Sequence, residues 1–310
     1  MPNSMEEKVT ETMEPEFKLL ELEDREILQP YLQADANRSC ERTFANIYLW
    51  KRQYPVEYAF VKGSLVFRSV RSGSFSFPVG GEDKKAAVGW MLEQCEREQR
   101  PFQMHVVLKE EAKLLEEWFP DRFSIVFNRD TADYLYETQK LQTLTGKKYH
   151  AKRNYINRFL QQNADWSYEQ ITSENAEECF QMAQEWRREN GCEDDPDKNA
   201  EMCVTFNALR LLDELSLTGG LIRVDGRVVA FAIGEPACGD TFVVHIEKAY
   251  AEVDGAYPMI NQQFAIHAAE GYTYINREDD MGEEGLRRAK LSYQPVNLIE
   301  KAFVTLKEGR

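Results

Sequence analysis

Three groups of residues in this chain have the types and spacing to do chemistry. The first runs from Asn276 to Gly282, where Glu278, Asp279 and Asp280 place carboxylates side by side next to Arg277, and Arg287, Arg288 and Lys290 follow shortly after. A positioned carboxylate can take the proton from an attacking amine or hydroxyl, so Glu278 and Asp280 are candidate bases. The neighbouring cations suit an anionic group. Acids here would equally cap the helix expected from Glu283 and meet its positive end. Carboxylates in a row are weak evidence for a divalent ion, and no metal is expected. The second group is His245 and Glu247, which alternate on an apolar run and therefore face one side of a strand. A buried, hydrogen-bonded histidine is the plainer reading of His245. The third is Gly146 to Arg158. Between Thr138 and Ala164 there are six Lys/Arg and no Asp or Glu, in a chain of net charge -15. Such a reversal of sign draws an anionic partner from solution, although a run of charge is also what a solvated helix face looks like. Lys147, Lys148, Lys152 and Arg153 are the candidate anion-binding residues, because phosphate contacts need cations on a rigid element.

Several classes of function are disfavoured by what is missing. Six cysteines without a C-x-x-C pair read as reduced thiols, and four histidines show no metal-ligand spacing. No Ser-His-Asp or Cys-His arrangement is visible, so a covalent intermediate is not expected. No apolar run reaches the roughly 18 residues of a membrane span, and the acidic N-terminus lacks the plan of a signal peptide. The expectation is a cytoplasmic protein without integral membrane association, with a loose acidic tail over residues 1–15.

Elements must hold these groups in place. At 310 residues with 43% hydrophobic content, the chain suits two folded domains, expected over 16–140 and 141–310. A short strand at Phe17–Leu22 and a helix from Asp24 come first, then an aromatic helix from Phe44 that stops before Pro55. Glu57–Val61, Lys62-Gly63 and Leu65–Val70 make a hairpin signal, and Ser74–Pro78 alternates as a third strand. A helix at Lys84–Glu98 buries Val88, Met91, Leu92 and Cys95. A strand at Phe102–Leu108, a helix at Glu110–Trp118 and two strands at Ser124–Phe127 and Asp133–Tyr136 close the half. The second half repeats this plan. The basic helix Lys147–Gln162 leads to a strand near Trp166–Glu169, then helices around Ala176–Asn190 and Lys198–Leu215. A hairpin turns at Asp225-Gly226, and a strand at Thr241–Glu247 and a helix at Pro258–Ala269 follow. A strand at Tyr272–Ile275, a helix at Glu283–Leu291 and a strand at Leu298–Leu306 complete it. The shared order of elements argues for a duplicated α/β unit.

That order resembles the GNAT acyltransferase fold, here twice, as an α/β (α+β) protein with mixed, mainly antiparallel sheets. Two stretches sharpen the likeness: Asp133 to Phe159, with Gly146-Lys-Lys-Tyr-His-Ala-Lys-Arg-Asn-Tyr, and Asn276 to Pro295, with Gly285-Leu-Arg-Arg-Ala-Lys-Leu-Ser-Tyr-Gln-Pro. Both are similar to the bacterial family grouped with the C-terminal domain of phosphatidylglycerol lysyltransferases, relatives of the Fem-type transferases. The resemblance implies transfer of an aminoacyl or acyl group from an anionic donor, such as aminoacyl-tRNA or another phosphate-bearing molecule. The acceptor would be an amine or hydroxyl on a small molecule, lipid headgroup or peptide. It also makes Glu247 a second base candidate, because the matching strand borders the GNAT cleft, and places Tyr293 where some GNAT enzymes hold a tyrosine acid. The usual coenzyme A loop is absent; its place reads Asp254-Gly-Ala-Tyr-Pro, which puts Gly255 and Tyr257 at the cleft with His245 and Asn276. No cofactor is firmly expected. Two alternatives stand: an acyl-CoA-dependent N-acyltransferase, and a non-catalytic tRNA- or nucleotide-binding protein of this fold.

Overall fold

The computed structural model describes residues 14–34 and 36–307, so the tail expected over 1–15 lies almost wholly outside the described residues. The first half contains β1 (Lys18–Leu19), α1 (Arg25–Ala34), α2 (Phe44–Leu49), β2 (Val56–Val61), β3 (Ser64–Ser69), α3 (Lys84–Arg97), β4 (Gln103–Leu108), α4 (Lys109–Trp118) and β5 (Phe123–Glu137). The second contains α5 (Thr138–Thr143), α6 (His150–Gln162), β6 (Trp166–Gln170), α7 (Ala176–Glu189), α8 (Pro196–Arg210), β7 (Thr218–Val224), β8 (Arg227–Cys238) and β9 (Thr241–Ala249), then α9 (Ala256–His267), β10 (Tyr274–Asn276), α10 (Glu284–Leu291) and β11 (Asn297–Leu306).

Local chemistry explains most of these elements. The β2–β3 and β7–β8 hairpins both turn on two residues of positive φ, Lys62-Gly63 and Asp225-Gly226, as tight hairpin turns require. Asp83 caps α3 by accepting the Ala86 N–H at 2.8 Å, and Val88, Met91, Leu92 and Cys95 are buried beneath it. Asp195 caps α8, with Pro196 in the first turn where its missing N–H is harmless.

The strands form a three-stranded sheet, β1-β2-β3, and an eight-stranded sheet ordered β4-β11-β5-β10-β9-β8-β7-β6. Within the larger sheet β9 and β10 run parallel and the other pairs antiparallel. The expected strand at Ser74–Pro78 is instead a linker with isolated bridges: Phe75 pairs with Arg68 on one side and Met104 on the other. Its ladder is interrupted because the Ser76 hydroxyl accepts the Phe67 N–H and Pro78 has no N–H to give. The two strands expected at Ser124–Phe127 and Asp133–Tyr136 are one long strand, β5, with an outward loop in it. Between the pairs Lys301↔Asn128 and Ile299↔Asp133, β5 takes five residue steps where β11 takes two.

That loop lies where the two halves cross. β11 pairs with β4 and with the start of β5 in the first half, while the end of β5 lies between β10 and β11 in the second. Each half therefore completes its sheet with a strand from the other. The architecture is α+β, two tandem GNAT-like units in which an antiparallel meander precedes a parallel pair and an inserted strand. Two main cores follow, a smaller one around Phe75, Met91, Phe102 and Val304 and a larger one around Phe159, Phe231, Phe242 and Phe264.

Candidate active site

β9 and β10 pair only through Tyr274↔Thr241, Ile275↔Phe242 and Asn276↔Val243. Asn276 then ends the ladder: its Oδ1 accepts the Glu278 N–H at 2.7 Å, and Glu278 adopts a left-handed backbone, φ 55°. β9 continues alone on that side, so a gap opens into which His245 and Glu247 project from one strand and Arg277 and Glu278 from the turn. Two ion pairs span it. Arg277 Nη2 donates to Glu247 Oε1 at 2.9 Å, and His245 Nδ1 donates to Glu278 Oε1 at 2.7 Å. His245 Nε2 donates to the buried Glu235 at 3.0 Å. Burial opposes a charged imidazole, yet the bonds to Glu235 and Glu278 outweigh it and raise its pKa to about 10.

Behind the gap a second polar network joins the halves. Asn276, fully buried, donates to the Arg38 carbonyl and to Asp133 Oδ2 at 2.9 Å. Lys301 from β11 donates to Asp133 and to Glu41 at 2.6 Å each, with Cys40 Sγ at 3.6 Å. Cys40, Glu41 and Asp133 offer atoms within 4.8 Å of one another, a spacing that suits a metal ion. The Lys301 ammonium already supplies the positive charge. Burial works against the Glu41 carboxylate, but Lys301 holds its pKa down at about 2. Asp279 stands at the edge of this network, half-buried, its carboxylate accepting the Met281 N–H at 3.2 Å. Burial, with Asp133, Glu278 and Glu41 nearby, raises its pKa to about 7 although Lys301 pulls the other way.

The structure sorts the sequence-predicted residues into distinct places. His245, Glu247 and Glu278 line the gap, whereas Asn276 is fully buried in the network behind it. Lys152 and Tyr293 join the first three: the Lys152 ammonium is 4.0 Å and the Arg277 guanidinium 4.8 Å from the Tyr293 ring centroid. Burial raises the Tyr293 hydroxyl pKa, and burial beside Arg277 lowers Lys152 to about 8. Asp280 is fully buried in a separate knot, accepting from Arg287, from Tyr134 at 2.5 Å and from the Gly282 N–H at 3.0 Å. Burial alone would raise its pKa; these donors lower it below the ordinary range. Its backbone carbonyl accepts the Glu283 N–H just before α10. Arg287 also pairs with Asp130. Lys290 is buried under the loop, donating to the Arg277 and Asp279 carbonyls. Arg153 donates to the Leu144 and Gly146 carbonyls that end α5. Lys147, Lys148 and Arg288 are exposed. Gly255 sits inside the α6–α9 contact, and Tyr257 accepts from Trp186 at 3.2 Å.

Asn261 and Lys301 complete the constellation without being named from sequence, and Arg277 and Asp279 stand there only as neighbours of the candidate bases Glu278 and Asp280. Asn261 donates to Glu247 Oε2 at 3.0 Å from the buried face of α9. Lys301 carries no clear signal, because Glu300 beside it makes this part of the strand read as a solvated charge pair.

Shared strands and a parallel pair that parts around ionised residues define the class: a protein of tandem GNAT-like fold. The family model described as phosphatidylglycerol lysyltransferase, C-terminal, matches residues 34–304, and the chain belongs to this family. A crystal structure of a conserved protein of unknown function from Bacteroides thetaiotaomicron is 39% identical, with TM-score 0.90, covering 94% of this chain and 100% of that one. The C-terminal domain of a putative lysylphosphatidylglycerol synthetase from Agrobacterium fabrum superposes with TM-score 0.66 at 14% identity, covering 91% of each chain. L-PGS from Bacillus licheniformis does so with TM-score 0.63 at 14% identity, covering 93% of each. An uncharacterised protein of Mycoplasmoides gallisepticum is 28% identical over 198 residues, 61% of each chain, so the match spans under two thirds of that relative. Among the described residues no helix is long and apolar enough to cross a membrane.

Proposed function

We propose that the protein transfers an acyl or aminoacyl group from an anionic donor to an amine or hydroxyl acceptor by direct attack, at the polar turn that follows β10 and borders both the gap and the Asp133–Lys301 network. The observation that carries this reading is Asp279. Its neighbours Glu278 and Asp280 are committed to His245 with Asn46 and to Arg287 with Tyr134. Asp279 is half-exposed, has one backbone hydrogen bond, and takes up a proton near neutral pH. A general base works best when its pKa lies near the working pH. Positioning of the two substrates would supply the rest of the rate.

The finer assignment of the donor to aminoacyl-tRNA is supported by Lys147 and Lys148, exposed at the start of the basic helix α6. An acyl-CoA donor is disfavoured by packing. The N-terminus of α9, where the coenzyme A pyrophosphate would rest, is covered by α6, with the Tyr155 carbonyl only 2.4 Å from where a Gly255 Cβ would be.

The test is transfer of a labelled aminoacyl group from charged tRNA to a panel of amine and hydroxyl acceptors, beside acyl-CoA donors. Asp279→Asn should lower the rate by about 10²–10⁴-fold while donor binding survives. Turnover with acyl-CoA alone, or full activity in Asp279→Asn, would overturn the assignment.

A further inference from the structure

Two buried polar atoms at the Glu247 side of the gap have no partner among the described residues, and both belong to one cluster. Arg277 uses Nη2 on Glu247 and leaves Nη1 unbonded. Asn261, 4% exposed, uses Nδ2 on the same carboxylate and leaves Oδ1 unbonded. Buried polar atoms are ordinarily paired, so two orphans on neighbouring side chains need an explanation. Lys152 adds a third open group. It is half-buried, its ammonium rests on the Tyr293 ring, and among the described residues it has no ion-pair partner. The charges do not balance: Lys152 and Arg277 are opposed by Glu247 alone, leaving one positive charge in a partly desolvated place. The resulting strain is visible at Lys152, whose pKa burial and Arg277 push down to about 8.

We propose that Lys152 and Arg277 together hold a singly charged oxyanion of the substrate, a phosphodiester or a carboxylate, while Asn261 Oδ1 accepts an N–H or O–H from the same molecule. One excess positive charge matches a monoanion better than a terminal phosphate dianion. An orphan donor and an orphan acceptor on the two side chains that share the Glu247 carboxylate call for a ligand that carries both an oxyanion and a hydrogen to donate, and both ligand types can do so. The site gives Lys152 a role apart from Lys147 and Lys148, which face solvent on the preceding turn. The proposal rests on the transferase reading only for what the anion belongs to, because the binding itself needs no turnover.

The experiment is competitive labelling of the intact protein with trace acetic anhydride at pH 8, read peptide by peptide by mass spectrometry. It is run in dimethyl phosphate, acetate or chloride at equal ionic strength. Lys152 should be labelled readily in chloride, because its pKa of about 8 leaves much of it unprotonated at that pH. Saturating dimethyl phosphate or acetate should cut its labelling about tenfold or more, leaving the two exposed lysines unchanged. Protection by the first probe alone assigns a phosphodiester, and by the second alone a carboxylate. A Lys152→Met variant, which keeps the volume of the side chain, should lose the rise in Tm that the protecting anion gives the wild type. Absence of protection by both probes, or equal protection at all three lysines, overturns the site. Failure of the transferase reading would look different: protection at Lys152 intact, with no donor turned over.

Discussion

Glu247 and Arg277 close a 2.9 Å ion pair across the place where β9 and β10 stop pairing, and each side chain is only about one-eighth exposed, 13% and 12%. The pair holds the gap at a fixed width, because Glu247 is also fastened to Asn261 on α9. Glu247→Ala would leave the guanidinium buried and unpaired, which costs about 3–5 kcal/mol. Glu247→Gln keeps an acceptor for Arg277 and should cost about 1–3 kcal/mol. Urea unfolding of the two variants checks the order, and a Gln variant as damaged as the Ala variant would contradict the pairing.

His245 ties stability to pH in a direction that can be worked out. Its folded pKa, about 10, lies above the ordinary value of about 6.5 for an unfolded histidine. Below about 6.5 the ring is charged in both states, and its pairing with Glu235 and Glu278 contributes in full. As pH rises toward 10 the unfolded chain has released the proton while the folded chain keeps it, so the contribution shrinks; above 10 it is gone. Thermal unfolding between pH 6 and 10 should show declining stability in the wild type and a flatter profile in His245→Gln. Equal slopes would remove His245 as the cause.

Lys301 is the counter-charge for two carboxylates in the seam between the halves. Lys301→Met should destabilise the protein at neutral pH by about 3–5 kcal/mol, since Asp133 and Glu41 would lose their cation in a buried place. The same variant should recover much of the loss near pH 4, where the unpaired carboxylates take up protons. Adding Asp133→Asn to Lys301→Met should restore part of the stability at pH 7. A double variant no better than the single would mean that the charges act independently.

The sequence reveals the elements of this fold much better than the contacts between them. Both tight hairpins and the buried face of α3 follow from local rules, because turn geometry and helical periodicity are written in neighbouring residues. The exchange of strands by β5 and β11 is not, because nothing local tells Ala302 that it will lie between Val107 and Phe127. The same limit governs the site. His245 and Glu247 are legible as a same-face pair on a strand, whereas their partners Glu278 and Arg277 lie about 30 residues away. The basic run is legible as charge, yet burial divides it: Lys152 turns inward, Arg153 caps α5, and Lys147 and Lys148 remain in solvent. Asp280 and Asp279 look alike in sequence, and only packing separates a carboxylate with several strong donors from one with a single backbone bond.

Gly255 offers a way to move the site without touching its chemistry. Its φ is +86°, and a Cβ there would lie 2.4 Å from the Tyr155 carbonyl and 3.0 Å from Phe159 Cβ, so Gly255→Ala must push α6 away from α9. Gly226 shares the positive φ, +80°, but opens to empty space. Gly226→Ala should therefore cost only the backbone strain, about 1–2 kcal/mol, whereas Gly255→Ala should add about 1–3 kcal/mol of overpacking. The functional consequence separates them further. Lys152 rides on α6 and Asn261 on α9, so displacement of one helix from the other spreads the groups that face the gap. Gly255→Ala should lose anion protection at Lys152 even at temperatures where it remains folded, and Gly226→Ala should keep it. Equal protection in both folded variants would show that the α6–α9 contact does not position the site.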